Sequence, residues 1–193
     1  MFLSGMMSSC QLFQPHLSNY EVNKVAYDKA DTGKTRILVS IFDQQAWLLD
    51  GEGKVLVRTG VSTGVPGHDT PVGDFSVLEK LKNKRSNKYG RYVDIETGKV
   101  IVPKTWLHEG SIPAGTKYQG IEMPFWLRIT WDGVGMHVGK FPRRTRCSFG
   151  CIRAHKEAQP LIYAMTRVGT PVTIVSESKL AELGAGKYLA IGN

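Results

Sequence analysis

Short apolar segments, separated by glycine- and proline-rich turns, dominate this chain and restrict it to folds built from short strands. Ile37 to Phe42, Ala46 to Leu49 and Val55 to Val61 are three such segments, and the turn Asp50-Gly51-Glu52-Gly53 separates the last two. Apolar runs of about four to eight residues bounded by turn signals are typical of strands, and their close spacing predicts hairpins.

The same pattern continues toward the C-terminus and includes one helical segment. The helix is predicted over Glu157 to Val168, where four apolar residues share one face, Pro160 fits the first turn and Gly169 can end it. Further strands are predicted at Phe75 to Leu81, Phe125 to Thr130, Val134 to Val138 and Pro171 to Val175. The expected fold is mainly β, a sandwich or half-barrel with one packed helix.

At 193 residues the chain is long enough for one substantial domain. We place this domain at residues 36–176, after an N-terminal segment and tether at 1–35 and before a tail at 177–193. Residues 82–120 are basic and interrupted by glycines and prolines, so we expect a long inserted loop region there. No apolar run approaches the ~18 to 20 residues that a membrane span requires.

The net charge of +8 predicts attraction to an anionic partner. Nucleic acid, an anionic membrane surface and a carboxylate-rich cell wall all fit, as does a basic surface that only faces solvent. Charge alone therefore leaves the partner open.

The first ten residues end in Ser8-Ser9-Cys10, which resembles a bacterial lipoprotein box. In that case Cys10 would be acylated after export and would anchor the chain to a membrane; otherwise it is a free thiol in a disordered tail. Three cysteines are an odd number, which argues against a disulfide framework and leaves a thiol for another role.

The stretch from His137 to Arg153 combines the groups that acyl transfer needs. Cys151 offers a nucleophile, and nearby cations are expected to lower the pKa of its thiol. His137 is suited to move a proton to the leaving amine. The turn Ser148-Phe149-Gly150-Cys151 can aim consecutive backbone N–H groups at an oxyanion, because Gly150 relieves steric limits. The cations are Arg143, Arg144, Arg146 and Arg153.

The motif Ser-x-Gly-Cys-Ile-Arg at Ser148 to Arg153, with a histidine upstream, resembles the catalytic signature of bacterial L,D-transpeptidases. Val61-Ser62-Thr63-Gly64 and Thr70-Pro71-Val72-Gly73-Asp74-Phe75 are similar to two loops of that family, and Val168 to Val172 is similar to its end. The resemblance covers Arg36 to Val175 and implies an L,D-transpeptidase-like β-sandwich.

The resemblance also implies roles for individual residues. Cys151 would be the nucleophile and His137 the base and acid, with the ring of His137 oriented by the backbone carbonyl of Val138. The backbone around Phe149 and Gly150 would form the oxyanion hole. Arg153 would order the loop or meet a substrate carboxylate, and Ser148 is a second candidate for substrate contact.

The implied substrates are peptidoglycan stem tetrapeptides, attacked at the third residue with release of D-Ala. No metal or organic cofactor is expected, and the implied location is the cell envelope, after export. One departure concerns specificity: Phe149 occupies a position where the family often has His or Tyr, which removes a polar side chain from the cleft.

Three alternatives remain at this point. A hydrolase with the same site would pass the acyl group to water, and sequence alone does not separate it from a transferase. A zinc-stabilised basic binding module is a second reading, since Cys147, Cys151 and His155 with His137 could surround a metal. Nucleic-acid binding by Lys80 to Arg91 is the third, disfavoured because few aromatics interleave the charges. His68 and His108 have no such context and are predicted to be surface or loop residues.

Overall fold

The computed structural model describes residues 20–142 and 145–183, and within them the fold is mainly β, as predicted. Eleven strands occur in this part of the chain, in one mixed sheet with the order β5-β11-β2-β3-β4-β10-β9-β8-β6-β7 and with β1 paired to β4. The strands are β1 (Tyr20–Val22), β2 (Arg36–Ser40), β3 (Gln45–Leu49), β4 (Val55–Ser62), β5 (Gly73–Ser76), β6 (Glu79–Asp94), β7 (Val100–Val102), β8 (Thr116–Arg128), β9 (Gly135–Val138), β10 (Ile152–Ala154) and β11 (Pro171–Val175).

Strand β4 joins the two halves of the sheet. Its first part pairs with β3 on one side and β1 on the other, whereas Val61 and Ser62 pair with β10. Both halves bury apolar side chains in one main cluster, which includes Ile37, Leu48 and Leu127. Alternate residues of β3 face the opposite side, so Trp47 and Leu49 form a second, smaller cluster. The predicted strands at β2, β3, β4 and β11 are confirmed.

Residues 20–34, which we assigned to the tether, are instead packed into the fold. Strand β1 extends the sheet beside β4, and its Tyr20 and Val22 are buried. Helix α1 (Lys24–Lys29) follows, and the Asn23 side chain accepts a hydrogen bond from the N–H of Ala26 at its start. A strand of three residues is too short to show a period of two in the sequence, which is why the prediction missed it. Cys10 lies outside the described residues.

Part of the predicted C-terminal tail is also ordered. Helix α3 (Leu180–Leu183) packs Leu180 and Leu183 against the Trp47 cluster. The carboxylate of Asp43 accepts hydrogen bonds from the Ser178 hydroxyl and the Lys179 N–H, both at 2.7 Å. The domain therefore continues beyond residue 176.

The insertion at residues 82–120 is a β-ribbon rather than a loop. Strands β6 and β8 pair over most of their length, with a register shift between Arg85 and Gly90. Much of β6 is exposed on both faces, so its sequence lacks the alternation that marks a half-buried strand. At the far end the ribbon carries β7 and a 3-10 turn at Thr105–Leu107.

The predicted helix is present but shorter than expected. Helix α2 spans Ala158–Ala164, with Pro160 in its first turn, and Met165 ends it. Val168, counted with the apolar face, is 62% exposed and lies beyond the helix. Among the described residues, no helix is both long and apolar enough to cross a membrane.

A substitution tests whether β1 belongs to the folded domain. Val22→Ala should lower the free energy of unfolding by about 2 kcal/mol, because it removes two buried carbons and leaves a cavity. Val25→Ala is the matched control, since Val25 is 67% exposed against 1% for Val22. Urea denaturation measures the free energy of unfolding of both variants. Equal values would indicate that residues 20–34 are a tether and not part of the folded domain.

Candidate active site

Cys151 and His137 lie beside each other in the sheet because β10 and β9 are parallel neighbours. Ile152 pairs with Met136 and Arg153 with His137, and Cys151 immediately precedes β10. Both side chains line one cavity of about 440 Å³, which we call the imidazole cavity. The two groups that the sequence singled out therefore line the same cavity.

The loop before Cys151 is held by the end of β4. The carbonyl oxygen of Thr63 accepts the N–H groups of both Cys147 and Ser148 at 3.1 Å, and the N–H of Val65 donates to the Ser148 carbonyl at 3.0 Å. The Ser148 hydroxyl donates to the carbonyl of Cys151. Ser148 is only 1% exposed. The structure thus corrects our assignment of this side chain to substrate contact, since it braces the loop instead.

Thr70 connects the second family-like loop to the same turn. Its hydroxyl accepts the N–H of Gly64 at 2.9 Å and donates to the carbonyl of Gly150 at 2.7 Å. Gly150 has φ +106°, which favours glycine, and a Cβ on Gly64 would lie 1.9 Å from the His68 carbonyl oxygen. The positive φ explains why residue 150 is glycine, and the close approach of the His68 carbonyl explains why residue 64 is glycine.

Gln44 completes this support, and no local pattern in the sequence indicates its role. Its side-chain oxygen accepts the N–H of Thr63 at 2.9 Å, and its amide nitrogen donates to the Thr63 hydroxyl at 2.7 Å. Gln44 is buried and has φ +51°. A lone glutamine between two strands carries no local signal for a contact nineteen residues away.

His137 is buried and fixed by its own strand. Its Nδ1 lies 2.8 Å from the carbonyl oxygen of Val138, and its ring centroid lies 5.9 Å from that of Trp126. A carbonyl only accepts, so Nδ1 carries the hydrogen and Nε2 of the neutral ring keeps its lone pair. Burial is the main cause that lowers the pKa of His137 to about 4; the charge of Arg153 adds to it, and the hydrogen bond to the Val138 carbonyl opposes it. The imidazole is therefore neutral at neutral pH.

Burial also raises the pKa of the Cys151 thiol, against the lowering effects of the Gly135 N–H and the charge of Arg153. The expected thiolate is therefore not favoured in the resting site. Arg146 forms an ion pair with Asp69, and Arg143 and Arg144 lie outside the described residues. Among the described groups, burial of the Cys151 thiol outweighs the positive charge of Arg153.

Arg153 contacts the second thiol rather than the first. Its Nη1 donates to Sγ of Cys147 at 3.4 Å, and Sγ of Cys147 lies 3.1 Å from the Ser62 hydroxyl oxygen. Arg153 and Cys147 both line the imidazole cavity. Arg153 thus stands where it can order the loop and still face a ligand.

Of the four residues of the zinc alternative, His155 lies away from the imidazole cavity that the other three line. The ring of His155 stacks on Tyr20 at 4.8 Å, and its Nδ1 accepts the N–H of Glu157 at 3.3 Å. No group of three or more His, Cys, Asp or Glu side chains that could hold a metal ion occurs within residues 20–142 and 145–183. The basic segment from Lys80 to Arg91, the candidate for nucleic-acid binding, does not present all its charges on one surface. Lys80 turns inward and donates to the Tyr163 carbonyl at 2.7 Å.

Aromatic side chains join the ribbon to the catalytic loop. Phe149 packs against Tyr89 and Trp106 of the ribbon, with ring centroids 5.2 and 6.0 Å away. His68, predicted to be a surface or loop residue, lies 4.8 Å from the Phe149 ring and lines the cleft. His108 lies in the ribbon, where its Nε2 is 3.0 Å from the Ser111 carbonyl oxygen. The sequence did not predict that Tyr89 and Trp106 reach the site, because the contact depends on how the ribbon folds back.

Cys151 also lines a second cavity, of about 420 Å³, which we call the lysine cavity after Lys84 and Lys88 in its wall. His137 lines the imidazole cavity but not the lysine cavity. Both cavities are lined by Ser86, Tyr89, Met123, Phe149 and Cys151. The two cavities thus meet at Cys151.

Comparison with known proteins agrees with this geometry. The family model for the YkuD L,D-transpeptidase catalytic domain matches residues 34–174. No curated protein matches the sequence significantly.

Solved structures share the fold. An L,D-transpeptidase from Mycobacterium smegmatis superposes with a TM-score of 0.56 at 19% identity, over 74% of this chain and 59% of that one. One from Stackebrandtia nassauensis gives 0.54 at 19% identity, over 80% and 62%. L,D-transpeptidase 3 from Mycobacterium tuberculosis, in complex with a faropenem-derived adduct, gives 0.55 at 17% identity, over 74% and 60%. The chain spans less than two thirds of each of these proteins.

The buried histidine predicts a pH dependence of stability. The unfolded chain binds a proton on His137 below about pH 6.5, whereas the folded protein resists it until about pH 4. The free energy of unfolding should therefore fall by ~3 kcal/mol from this group as the pH drops through that interval. Urea denaturation at pH 7 and pH 4 measures the fall, and His137→Gln should lack this part of it. Equal pH dependence of the two proteins would contradict a neutral buried imidazole.

Proposed function

The chain belongs to the YkuD family of L,D-transpeptidase catalytic domains, and we propose that it is a cysteine acyltransferase that remodels peptidoglycan stem tetrapeptides in the cell envelope. The observation that carries the proposal is the shared cavity of Cys151 and His137, with Nδ1 of His137 bonded to the Val138 carbonyl. That bond leaves Nε2 free to accept a proton.

In the first half-reaction Nε2 of His137 takes the thiol proton while Sγ of Cys151 bonds to the carbonyl carbon of the third stem residue. The carbonyl electron pair moves to oxygen, where backbone N–H groups of residues 149–151 stabilise it. The tetrahedral species then breaks its C–N bond, and His137 returns the proton to the amine of the departing D-Ala. A thioester on Cys151 remains. Because both resting groups are neutral, proton transfer accompanies the attack.

In the second half-reaction an amine of a neighbouring stem attacks the thioester carbon, and His137 accepts its proton. The C–S bond then breaks, and His137 returns the proton to Sγ of Cys151, which restores the resting pair. Leaving amine and attacking amine both need His137, so both occupy the imidazole cavity, which His137 lines. The rest of the acyl donor then extends into the lysine cavity, which Cys151 also lines. Two cavities that meet at Cys151 favour a reaction with two peptide substrates over hydrolysis.

Mass spectrometry of the products formed from a disaccharide tetrapeptide tests the proposal. The wild-type protein should release D-Ala and form a cross-linked dimer, whereas a hydrolase would yield only the tripeptide. Cys151→Ala should abolish both products, and His137→Ala should slow them by several orders of magnitude, since base and nucleophile act as a unit. Turnover by Cys151→Ala would overturn the assignment.

A β-lactam provides a second, independent prediction. A solved L,D-transpeptidase carries a faropenem-derived adduct, and the strained ring amide of such a compound presents a carbonyl that a cysteine can attack. Incubation with faropenem should leave a covalent adduct on the peptide that contains Cys151. Cys147→Ala is the matched control, because Cys147 lines the same cavity and its removal should not prevent the adduct. An adduct that persists in Cys151→Ala, or that maps to Cys147, would contradict the proposed nucleophile.

A further inference from the structure

The lysine cavity has an excess of positive charge that no protein group neutralises. Two of its charged side chains are already paired, Arg128 with Glu79 at 3.2 Å and Asp69 with Arg146. In the part of the chain that the structure describes, the other three have no ion-pair partner. These three are Lys84, Lys88 and Asp132. Two lysines and one aspartate without ion-pair partners therefore line the cavity that Cys151 also lines. Lys88 is exposed, and its Nζ lies 5.4 Å from the centroid of the Tyr89 ring.

The position of Lys88 is built into the ribbon. Residues 86–89 bulge out between the paired positions Arg85 and Gly90. The Ser86 hydroxyl accepts the N–H groups of Lys88 at 3.2 Å and Tyr89 at 2.9 Å, which closes the bulge into a tight turn. A Cβ on Gly120 would lie 2.0 Å from the Ser86 carbonyl oxygen, so the opposite strand makes room for this turn. Lys88 thus projects from a defined turn rather than from a loose loop.

Lys84 and the bulge are also tied to the catalytic loop. Lys84 is half-buried and pairs across the ribbon with Met123, which lines both cavities. Tyr89, next to Lys88, packs against Phe149 at 5.2 Å. The ribbon therefore holds both ammonium groups on the wall of the cavity into which Cys151 opens.

We propose that Lys84 and Lys88 form a subsite that binds a free carboxylate of the acyl-donor stem. The inference rests on the proposed function, which directs the donor into this cavity. Apart from the terminal carboxylate of the departing D-Ala, a stem tetrapeptide carries a carboxylate on its second residue and, in some stems, another on the diamino acid. A carboxylate held by two ammonium groups in a partly enclosed cavity gains charge-assisted hydrogen bonds.

The alternative is that both lysines only face solvent, as many surface lysines do. The two readings differ in one measurable respect. If the lysines form a subsite, the rate depends on the charge of the donor, and removal of the lysines abolishes this dependence. If the lysines only face solvent, the rate does not depend on the charge of the donor, and removal of the lysines has no effect on it.

The experiment compares three disaccharide tetrapeptide donors: one with free carboxylates, one amidated on the second residue and one amidated on the diamino acid. The kcat and KM for D-Ala release are measured for the wild-type protein and for Lys84→Gln/Lys88→Gln. The matched control is Lys99→Gln/Lys117→Gln, which removes two charges from the far half of the same ribbon, away from both cavities.

For the wild-type protein, amidation of the bound carboxylate should lower kcat/KM about tenfold, mainly through KM, as expected for loss of a charged hydrogen bond. The amidated donor that shows this loss identifies which carboxylate is bound. The Lys84→Gln/Lys88→Gln variant should lose about the same factor with the free donor and show no further loss on amidation. The control should behave as the wild type.

Two outcomes would overturn the subsite. One is a Lys84→Gln/Lys88→Gln variant that still discriminates against the amidated donor as strongly as the wild type. The other is an equal loss in the control variant, which would assign the effect to general charge. If the wild-type protein released no D-Ala from any donor, the acyl-transfer proposal itself would fall and the subsite with it, so the two failures are distinguishable.

Discussion

The carbonyl of Thr63 accepts two consecutive N–H groups of the catalytic loop, and the placement of the thiol depends on this clamp. Thr63 is itself fixed from behind by the side chain of Gln44. Thr70 extends the clamp by bridging Gly64 to Gly150, the residue just before Cys151. Gln44 and the segment from Thr63 to Thr70, both far from the catalytic turn in sequence, thus hold it in place, as a preorganised set of backbone N–H donors requires. The loops that carry the family resemblance are in this sense the support of the nucleophile.

Burial sets the protonation state of the site. It keeps the imidazole of His137 neutral and raises the pKa of the Cys151 thiol, so that the resting pair carries no charge. An uncharged pair needs no counterion in a partly enclosed site, and charge develops only when substrate binds and the proton moves. The hydrogen bond to Val138 fixes the ring so that Nε2 is the nitrogen that can act. The same burial that suits proton transfer makes the fold sensitive to acid.

Short apolar runs bounded by turn residues predicted β2, β3, β4 and β11, because this pattern lies within each strand's own sequence. The short motifs predicted that Cys151 and His137 meet at one site. The failures are of a different kind. Strand β1 is too short to show a period, and β6 is exposed on both faces, so neither has an amphipathic signature. The support from Gln44 and the aromatic contact of Tyr89 with Phe149 are long-range. The pKa of Cys151 was misjudged because the sequence shows that arginines lie nearby along the chain but not that the thiol is buried, and burial raises its pKa.

The central claim, that Cys151 carries the acyl group, is tested most directly by intact-protein mass spectrometry after acid quenching of a reaction with tetrapeptide and no amine acceptor. The account predicts a species heavier by the donor less its terminal D-Ala, located on the peptide containing Cys151 and removed by hydroxylamine as a thioester is. Release of D-Ala without any covalent species, or an acyl group on another residue, would contradict it.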